Sequence, residues 1–241
     1  VLAAVIAGIV WNLVTWKYGI PSSSSHALIG GLVGAAIAHG GFVAVKWSGV
    51  IEKVVIPLVG SPVVGFLVGF TIMKVIANLL AHMHPKKTGP VFRTAQMASA
   101  ALMAYSHGQN DAQKSMGIIT LALVSAGYQK TTDIPMWVVL ACATVMALGT
   151  SAGGWRIIRT MGHKIIRLEP VNGFAAETSG AAVIMAASHF GMPVSTTHVI
   201  AGSIFGVGAS KRLSAVRWQV AQNMVAAWFT TIPASAAIAA S

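Results

Sequence analysis

The sequence predicts an all-α, multi-pass transmembrane helical bundle with inverted repeats and broken or re-entrant helices. Three observations carry that expectation. First, 55% of the 241 residues are apolar and only 9% are charged, against about a quarter charged in ordinary soluble domains. The stretches 54–73, 134–155, 178–210 and 218–241 hold no Lys, Arg, Asp or Glu, and a bilayer crossing takes roughly 17–25 residues. Second, basic residues gather in short segments between apolar runs: Lys86, Lys87 and Arg93, then Arg156, Arg159, Lys164 and Arg167, then Lys211, Arg212 and Arg217. Third, "GIPSSSSH" at 19–26 and "GMPVSTTH" at 191–198 both interrupt apolar runs with a proline and hydroxyls.

Taken in order, residues 1–16 read as the end of a span and 19–38 as a segment broken by Pro21 and the serines. A span is expected at about 54–81. A helix begins near 92, is interrupted at "SHGQND" and resumes at 112–127. Another span covers 134–153, followed by a short loop helix at 155–168. There, Ile157, Met161 and Ile165 share a side, as in an interfacial amphipathic helix or simply a basic loop. A span at 172–190 leads into the second break at Pro193, a helix at 195–209 and a last span at 217–238. Glycine and proline are tolerated within such runs where neighbouring helices satisfy the freed backbone. The opening "VLAAVIAGIVW" has neither Met nor a basic leader. It predicts a fragment that starts inside one membrane helix and stops inside another.

The two broken segments are an internal repeat. A shift of 172 residues lays Gly19 on Gly191, Pro21 on Pro193, Ser23–Ser25 on Ser195–Thr197 and His26 on His198. Gly30 then falls on Gly202 and Gly34 on Gly206; a shift of 171 lays Trp47 on Trp218 and Pro62 on Pro233. Five spans separate the two tryptophans, or three if 172–209 is a re-entrant hairpin. Either count is odd, so the copies face opposite ways. The loops at 84–93, 155–167 and 211–217 carry three, four and three Lys/Arg, and those at 39–53 and 128–133 carry two and one. The richer set is placed in the cytoplasm. Residues 1–81 are then the remainder of a first repeat, 82–93 a cytoplasmic basic loop and 94–241 a second repeat. Inverted repeats with discontinuous helices characterise secondary transporters, which bind substrate near the midplane at the breaks.

The formal net charge of +11 does not point to nucleic acid, because the cations follow the loops and form no recognition stripe. The single Cys142 excludes an intramolecular disulfide and offers no metal-ligand spacing. No nucleophile elbow or metal-ligand helix motif is present, so an enzyme is disfavoured.

Two clusters carry the candidate chemistry. Ser23, Ser24 and Ser25, and their counterparts Ser195, Thr196 and Thr197, precede apolar, glycine-spaced runs, which is a helix N-cap pattern. Free N–H groups and partial positive charge make such ends anion sites, and two ends can converge on one oxyanion. The plainer alternative is that the hydroxyls only satisfy backbone at a kink. The second cluster is "SHGQNDAQKSMG" at 106–117. Asp111 is the only acidic residue between Glu52 and Asp133, and an intramembrane carboxylate is a functional candidate by default. It suits Na⁺ or a proton, or it forms a neutral pair with Lys114 one turn on. Glu177 is either a second cation or proton group or a carboxylate at the interface. His26 and His198, directly after the hydroxyls, either donate to an anion or titrate, or pack between helices with a local hydrogen bond; packing is the favoured role.

The segments "GIPSSSSHALIGGLVG", "SHGQNDAQKSMG", "AAETSGAAVIMAAS" and "GMPVSTTHVIAGSIFGVG" resemble those of the inorganic phosphate transporter (PiT) family across essentially the whole chain. The resemblance implies a cation-coupled symporter of inorganic phosphate in the plasma (inner) membrane of a bacterium. Phosphate and the bilayer are the expected partners, nucleic acid is not, and a homo-oligomer is compatible. No cofactor is implied beyond the coupling ion, H⁺ or Na⁺. Asn110 and Asp111 match the family's second Asn-Asp motif, the Ser23–Ser25 and Ser195–Thr197 tips its phosphate-binding hairpins, and Glu177 an acidic position important in the family. Gln109, Asn110 and Lys114 are the further expected phosphate contacts, and Asn110, Asp111 and Glu177 the coupling residues. The first Gly-x-Asn-Asp segment is absent, and the first hairpin reads Pro-Ser-Ser-Ser-Ser-His. Lys114 stands where Na⁺-coupled relatives tend to carry Asn, as in members regarded as proton-coupled. That favours protons over sodium. The alternatives are a carrier of another tetrahedral oxyanion such as sulfate, or a passive anion channel.

Overall fold

The structure, a computed structural model, describes residues 1–83, 85–192 and 194–241. The expected kink at Pro193 and the side chains of Lys86 and Lys87 lie outside the described residues. The elements they form are helices, with no strand among the described residues.

Helices α1 (Leu2–Tyr18) and α2 (Ser24–Gly40) form a first hairpin; α8 (Pro170–His189) and α9 (Thr196–Lys211) form a second. The same local chemistry shapes both turns. Gly19 (φ +66°) and Gly191 (φ +63°) take the left-handed conformation just past the first helix, where a Cβ is strained. Ser23 and Ser195 then cap the returning helices, their hydroxyls accepting the His26 N–H at 3.2 Å and the His198 N–H at 3.4 Å. The repeat extends to the far ends. Short 3₁₀ turns at Phe42–Ala44 and Leu213–Ala215 are closed by Trp47 and Trp218, whose indoles donate to the Phe42 and Leu213 carbonyls at 3.0 and 2.9 Å.

Among the described residues, three helices are long and apolar enough to cross a membrane. The first is Trp47–Leu79, comprising α3 (Trp47–Val50), a π-helical turn at Ile51–Val55 and α4 (Ile56–Leu79). The others are α6 (Met136–Gly153) and α10 (Trp218–Ala240). Helix α6 leaves Met136, Trp137, Leu140, Val145 and Leu148 exposed, a surface that suits lipid rather than water.

Two expectations need correction. Helix α5 (Pro85–Ser125) is one continuous 41-residue helix. It starts before residue 92 and is not interrupted at "SHGQND". The polar residues there did not require a break because other elements supply their partners, and a Cβ at Gly108 would meet nothing. The loop helix is also shorter than 155–168. Helix α7 (Trp155–Arg159) and a π turn at Thr160–Lys164 end it at 164. It is docked on protein: Thr160 and Ile165 are buried, the Thr160 hydroxyl donates to the Gly19 carbonyl at 2.8 Å, and the Trp16 indole donates to Gly153 at 2.8 Å.

Packing between the halves is reciprocal. Gly30 and Gly34 of α2 lie against Ile232, Ser235 and Ala236 of α10, while Gly202 and Gly206 of α9 lie against Pro62 and Phe66 of α4. Lipid tails are as apolar as leucine, so close backbone approach at small residues, rather than exclusion of water, holds such helices together. A Cβ at Gly34 or Gly206 would overlap the carbonyl of Ala236 or Phe66, whereas one at Gly60 meets nothing. Gly34→Ala and Gly206→Ala should therefore each destabilise the bundle by about 1–3 kcal/mol. Gly60→Ala should be neutral or slightly stabilising. Unfolding titrations in mixed micelles compare the three.

Candidate functional site

The tips of the two hairpins meet. The His26 and His198 rings stand edge to face with centroids 4.9 Å apart, and His198 stacks on Trp228 at 4.2 Å. Both histidines are buried, so they pack the junction of the two tips. The Trp228 indole also donates to the Pro21 carbonyl at 3.3 Å, fastening the first tip to α10.

Helix α5 crosses this junction. Its unbroken geometry puts His107, Asn110, Asp111 and Lys114 on one face, because residues three and four apart are neighbours on a helix. The Lys114 ammonium donates to Asn110 Oδ1 at 2.6 Å, Ser25 Oγ at 2.7 Å and the Val194 carbonyl at 2.8 Å. Asp111 Oδ1 lies 3.3 Å away. An ammonium carries three N–H donors, and the three short contacts account for them. The carboxylate accepts a longer, shared bond from the same ammonium in addition to its charge. Its other oxygen, Oδ2, accepts from the Thr196 hydroxyl at 3.2 Å and lies 3.1 Å from His107 Nε2. The Asn110 amide donates to Ser188 Oγ at 3.0 Å.

The expected residues thus divide into groups. Ser25, Asn110, Asp111, Lys114 and Thr196 are brought into direct contact. Ser23 and Ser195 are buried caps that orient the tips. Ser24 is exposed, and with Ser25, Asp111, Lys114, Asn12 and Ser115 it lines a cavity of about 310 Å³. Thr197 and Glu177 line a different cavity of about 290 Å³ with Gln96 and His107. Glu177 accepts from the Ser99 hydroxyl at 2.5 Å and from the Gln96 amide at 3.5 Å; it does not touch Asp111. Gln109 is exposed on the side facing α6, in a third cavity, away from Lys114.

Reading the sequence missed His107, Ser188, Ser99 and Gln96. His107 carried a signal, its four-residue spacing from Asp111, which the expected break at 106–111 concealed. The others lie 78 or more residues from their partners, and no local pattern announces them.

Chemically, the junction combines one fixed ammonium, one carboxylate, hydroxyl donors and the N-terminal ends of α2 and α9. Those helix ends offer partial positive charge and free N–H groups to an anion. Opposed helical hairpins meeting tip to tip inside an apolar bundle, with this pair of charges at the seam, define a membrane transporter. The family profile described as "Phosphate transporter family" matches residues 1–239, and the chain belongs to that family.

The chain is 51% identical over 241 residues to a "Probable low-affinity inorganic phosphate transporter" of Bacillus subtilis (strain 168), covering all of this chain and 72% of the relative. A protein of the same description from Rhizobium meliloti (strain 1021) is 50% identical with the same coverage. One from Mycobacterium tuberculosis (strain ATCC 25618 / H37Rv) is 49% identical, and 58% of it is covered. A solved structure described as "The sodium-dependent phosphate transporter" matches with a TM-score of 0.86 at 26% identity, over 99% of this chain and 77% of that one. These relatives are described as transporters, a non-enzymatic function, and family and helices together make the chain a plasma-membrane protein.

Asp111 and Lys114 are mostly buried, with side chains 14% and 20% exposed. Removing one member of such a pair leaves the other uncompensated. Lys114→Ala should destabilise the protein by about 3–5 kcal/mol, whereas Asp111→Asn combined with Lys114→Met should recover part of that loss. A double-mutant cycle on unfolding free energy measures the coupling.

Proposed function

We propose that this protein imports inorganic phosphate as a proton-coupled symporter, with the anion seated between the hydroxyl-lined ends of α2 and α9. The observation that carries the reading is the position of Lys114, bonded to Ser25 of one tip and Val194 of the other while paired with Asp111. The family membership supplies the substrate class. On this reading Ser24, Ser25, Thr196 and Asn110 line the phosphate path, Ser23 and Ser195 hold the tips that frame it, and Lys114 is its counter-charge; Thr197 and Gln109 lie on neighbouring cavities. Asp111 is the proton-linked group, with Glu177 as a second.

The coupling follows from charge balance. While Asp111 is ionised, its charge compensates Lys114 and the site attracts anions weakly. A proton on Asp111 leaves the ammonium uncompensated, so phosphate binds more tightly. Linkage requires the reverse as well: bound phosphate favours the proton. Phosphate oxygens then replace Ser25 and Val194 as acceptors for the ammonium, which unties one hairpin tip from the other. A fixed ammonium also supplies the positive charge that a sodium ion supplies elsewhere, and this favours the proton. The sodium dependence named for the similar solved structure is the competing reading.

Uptake of radiolabelled phosphate into proteoliposomes holding the full-length protein, with an inward proton or sodium gradient imposed separately, decides between the two. Accumulation driven by protons alone, and resistant to excess sulfate, is the expected result; a strict sodium requirement rejects proton coupling. No accumulation under either gradient would reject the carrier itself in favour of a passive pore. Asp111→Asn mimics the protonated carboxyl, so it should bind phosphate at least as tightly as the native protein yet fail to accumulate it. Normal accumulation by that variant rules out Asp111 as the coupling group. Lys114→Asn should weaken phosphate binding by at least about tenfold, in line with the 1.5–3 kcal/mol typical of hydrogen bonds to a charged group, and sodium should restore part of it.

A further inference from the structure

A second cationic site lies where α7 docks on the end of α1. Arg156 donates from Nη1 to the Lys17 carbonyl at 2.9 Å, and its guanidinium sits 4.6 Å from the centre of the Trp16 ring. Thr160 is bonded to Gly19 beside it. Between these elements is a cavity of about 940 Å³, into which Lys17, Arg156, Arg159, His163 and Lys164 all contribute. Among the described residues, no carboxylate lines it. Among the described residues the ion pairs involve only Asp111 and Glu169 as acids, so none of these five groups has an acidic partner. Four permanent cations and a histidine around one cavity create a positive potential that an anion among them would neutralise.

The rim differs in character from the floor. Tyr18 is 69% exposed, Trp155 75% and Ile158 52%, all beside the basic groups. Aromatic rings that are apolar at one end and polar at the other settle at the membrane–water boundary, and an exposed isoleucine there offers an apolar flank. Residues 156–167 belong to the basic loop assigned to the cytoplasm, the side on which basic pockets meet anionic headgroups. No residue lines both this cavity and the one beside Lys114.

We propose that this cavity is a second anion site, which takes a phosphate group carried by an anionic phospholipid or by free phosphate, independently of the transport site. An anion held there bridges α7 to the segment that opens the first hairpin turn, because Arg156 and Thr160 are bonded to the Lys17 and Gly19 carbonyls.

The test uses the full-length protein, delipidated in neutral detergent and examined by native mass spectrometry against phosphatidylglycerol, phosphatidylcholine and inorganic phosphate in turn. Arg159→Gln with Lys164→Gln removes two charges that make no hydrogen bond to other parts of the described structure. The charge-preserving pair Arg159→Lys with Lys164→Arg controls for folding, and Lys114→Ala marks the transport site. Retention of phosphatidylglycerol over phosphatidylcholine, weakened about fivefold per charge removed and kept in the charge-preserving pair, assigns the lipid. Binding of inorganic phosphate that survives Lys114→Ala but is lost from the glutamine variant assigns the free ion. If the native protein and the glutamine variant hold both ligands equally, the proposal is overturned.

Discussion

One ammonium group ties together three elements that share no local sequence. Lys114 reaches from α5 to the serine at one hairpin tip and to a backbone carbonyl at the other. A lysine in an apolar bundle is tolerable only when paired and hydrogen-bonded. Asp111 supplies the charge, and Ser25, Asn110 and Val194 supply acceptors for all three donors. The arrangement constrains much else. Helix α5 must remain helical through 106–114 to present Asn110, Asp111 and Lys114 on one face, and both hairpins must end at the same depth to reach that face.

The glycines make this depth attainable. Each returning helix packs on a helix from the other half, α2 on α10 and α9 on α4, with matched glycines at both contacts. In lipid such contacts rest on close van der Waals approach, so they behave as rigid fastenings. The seam between the tips is of another kind. It is polar and runs through one lysine, and on the proposed reading its bonds are exchanged for bonds to a ligand. On that reading the two glycine-packed joints stay closed and the polar joint opens.

What was legible in the sequence follows the range of the interactions. The hairpin turns were readable because a left-handed glycine, a capping serine and a glycine-spaced helix are local chemistry, written twice. Both Ser23 and Ser195 cap as their position implied. The all-helical fold was readable from charge-free runs. The course of α5 was not. Polar residues inside an apolar run suggest a break when their partners are unseen, and here the partners of Asn110 and Lys114, namely Ser188, Ser25 and Val194, lie 78 to 89 residues away. The same distance separates Glu177 from Ser99. Its hydrogen bonding on a wall apart from Asp111 therefore could not be inferred from either neighbourhood alone.

Satisfied donors at Lys114 also bear on how an anion site can avoid being a trap. An unpaired ammonium buried beside two helix N-termini would hold a phosphate dianion too firmly to release it, because charge interactions strengthen as the dielectric falls. Here protein oxygens already occupy the ammonium, and Asp111 offsets its charge. On the proposed reading an arriving anion competes with Ser25, Asn110 and Val194, so its net gain is the difference between two well-bonded states. Small changes at Asp111 can then reverse the preference. On the proposed reading, net binding is weak and governed by one carboxylate, which is the condition a carrier needs to load on one side of a membrane and unload on the other.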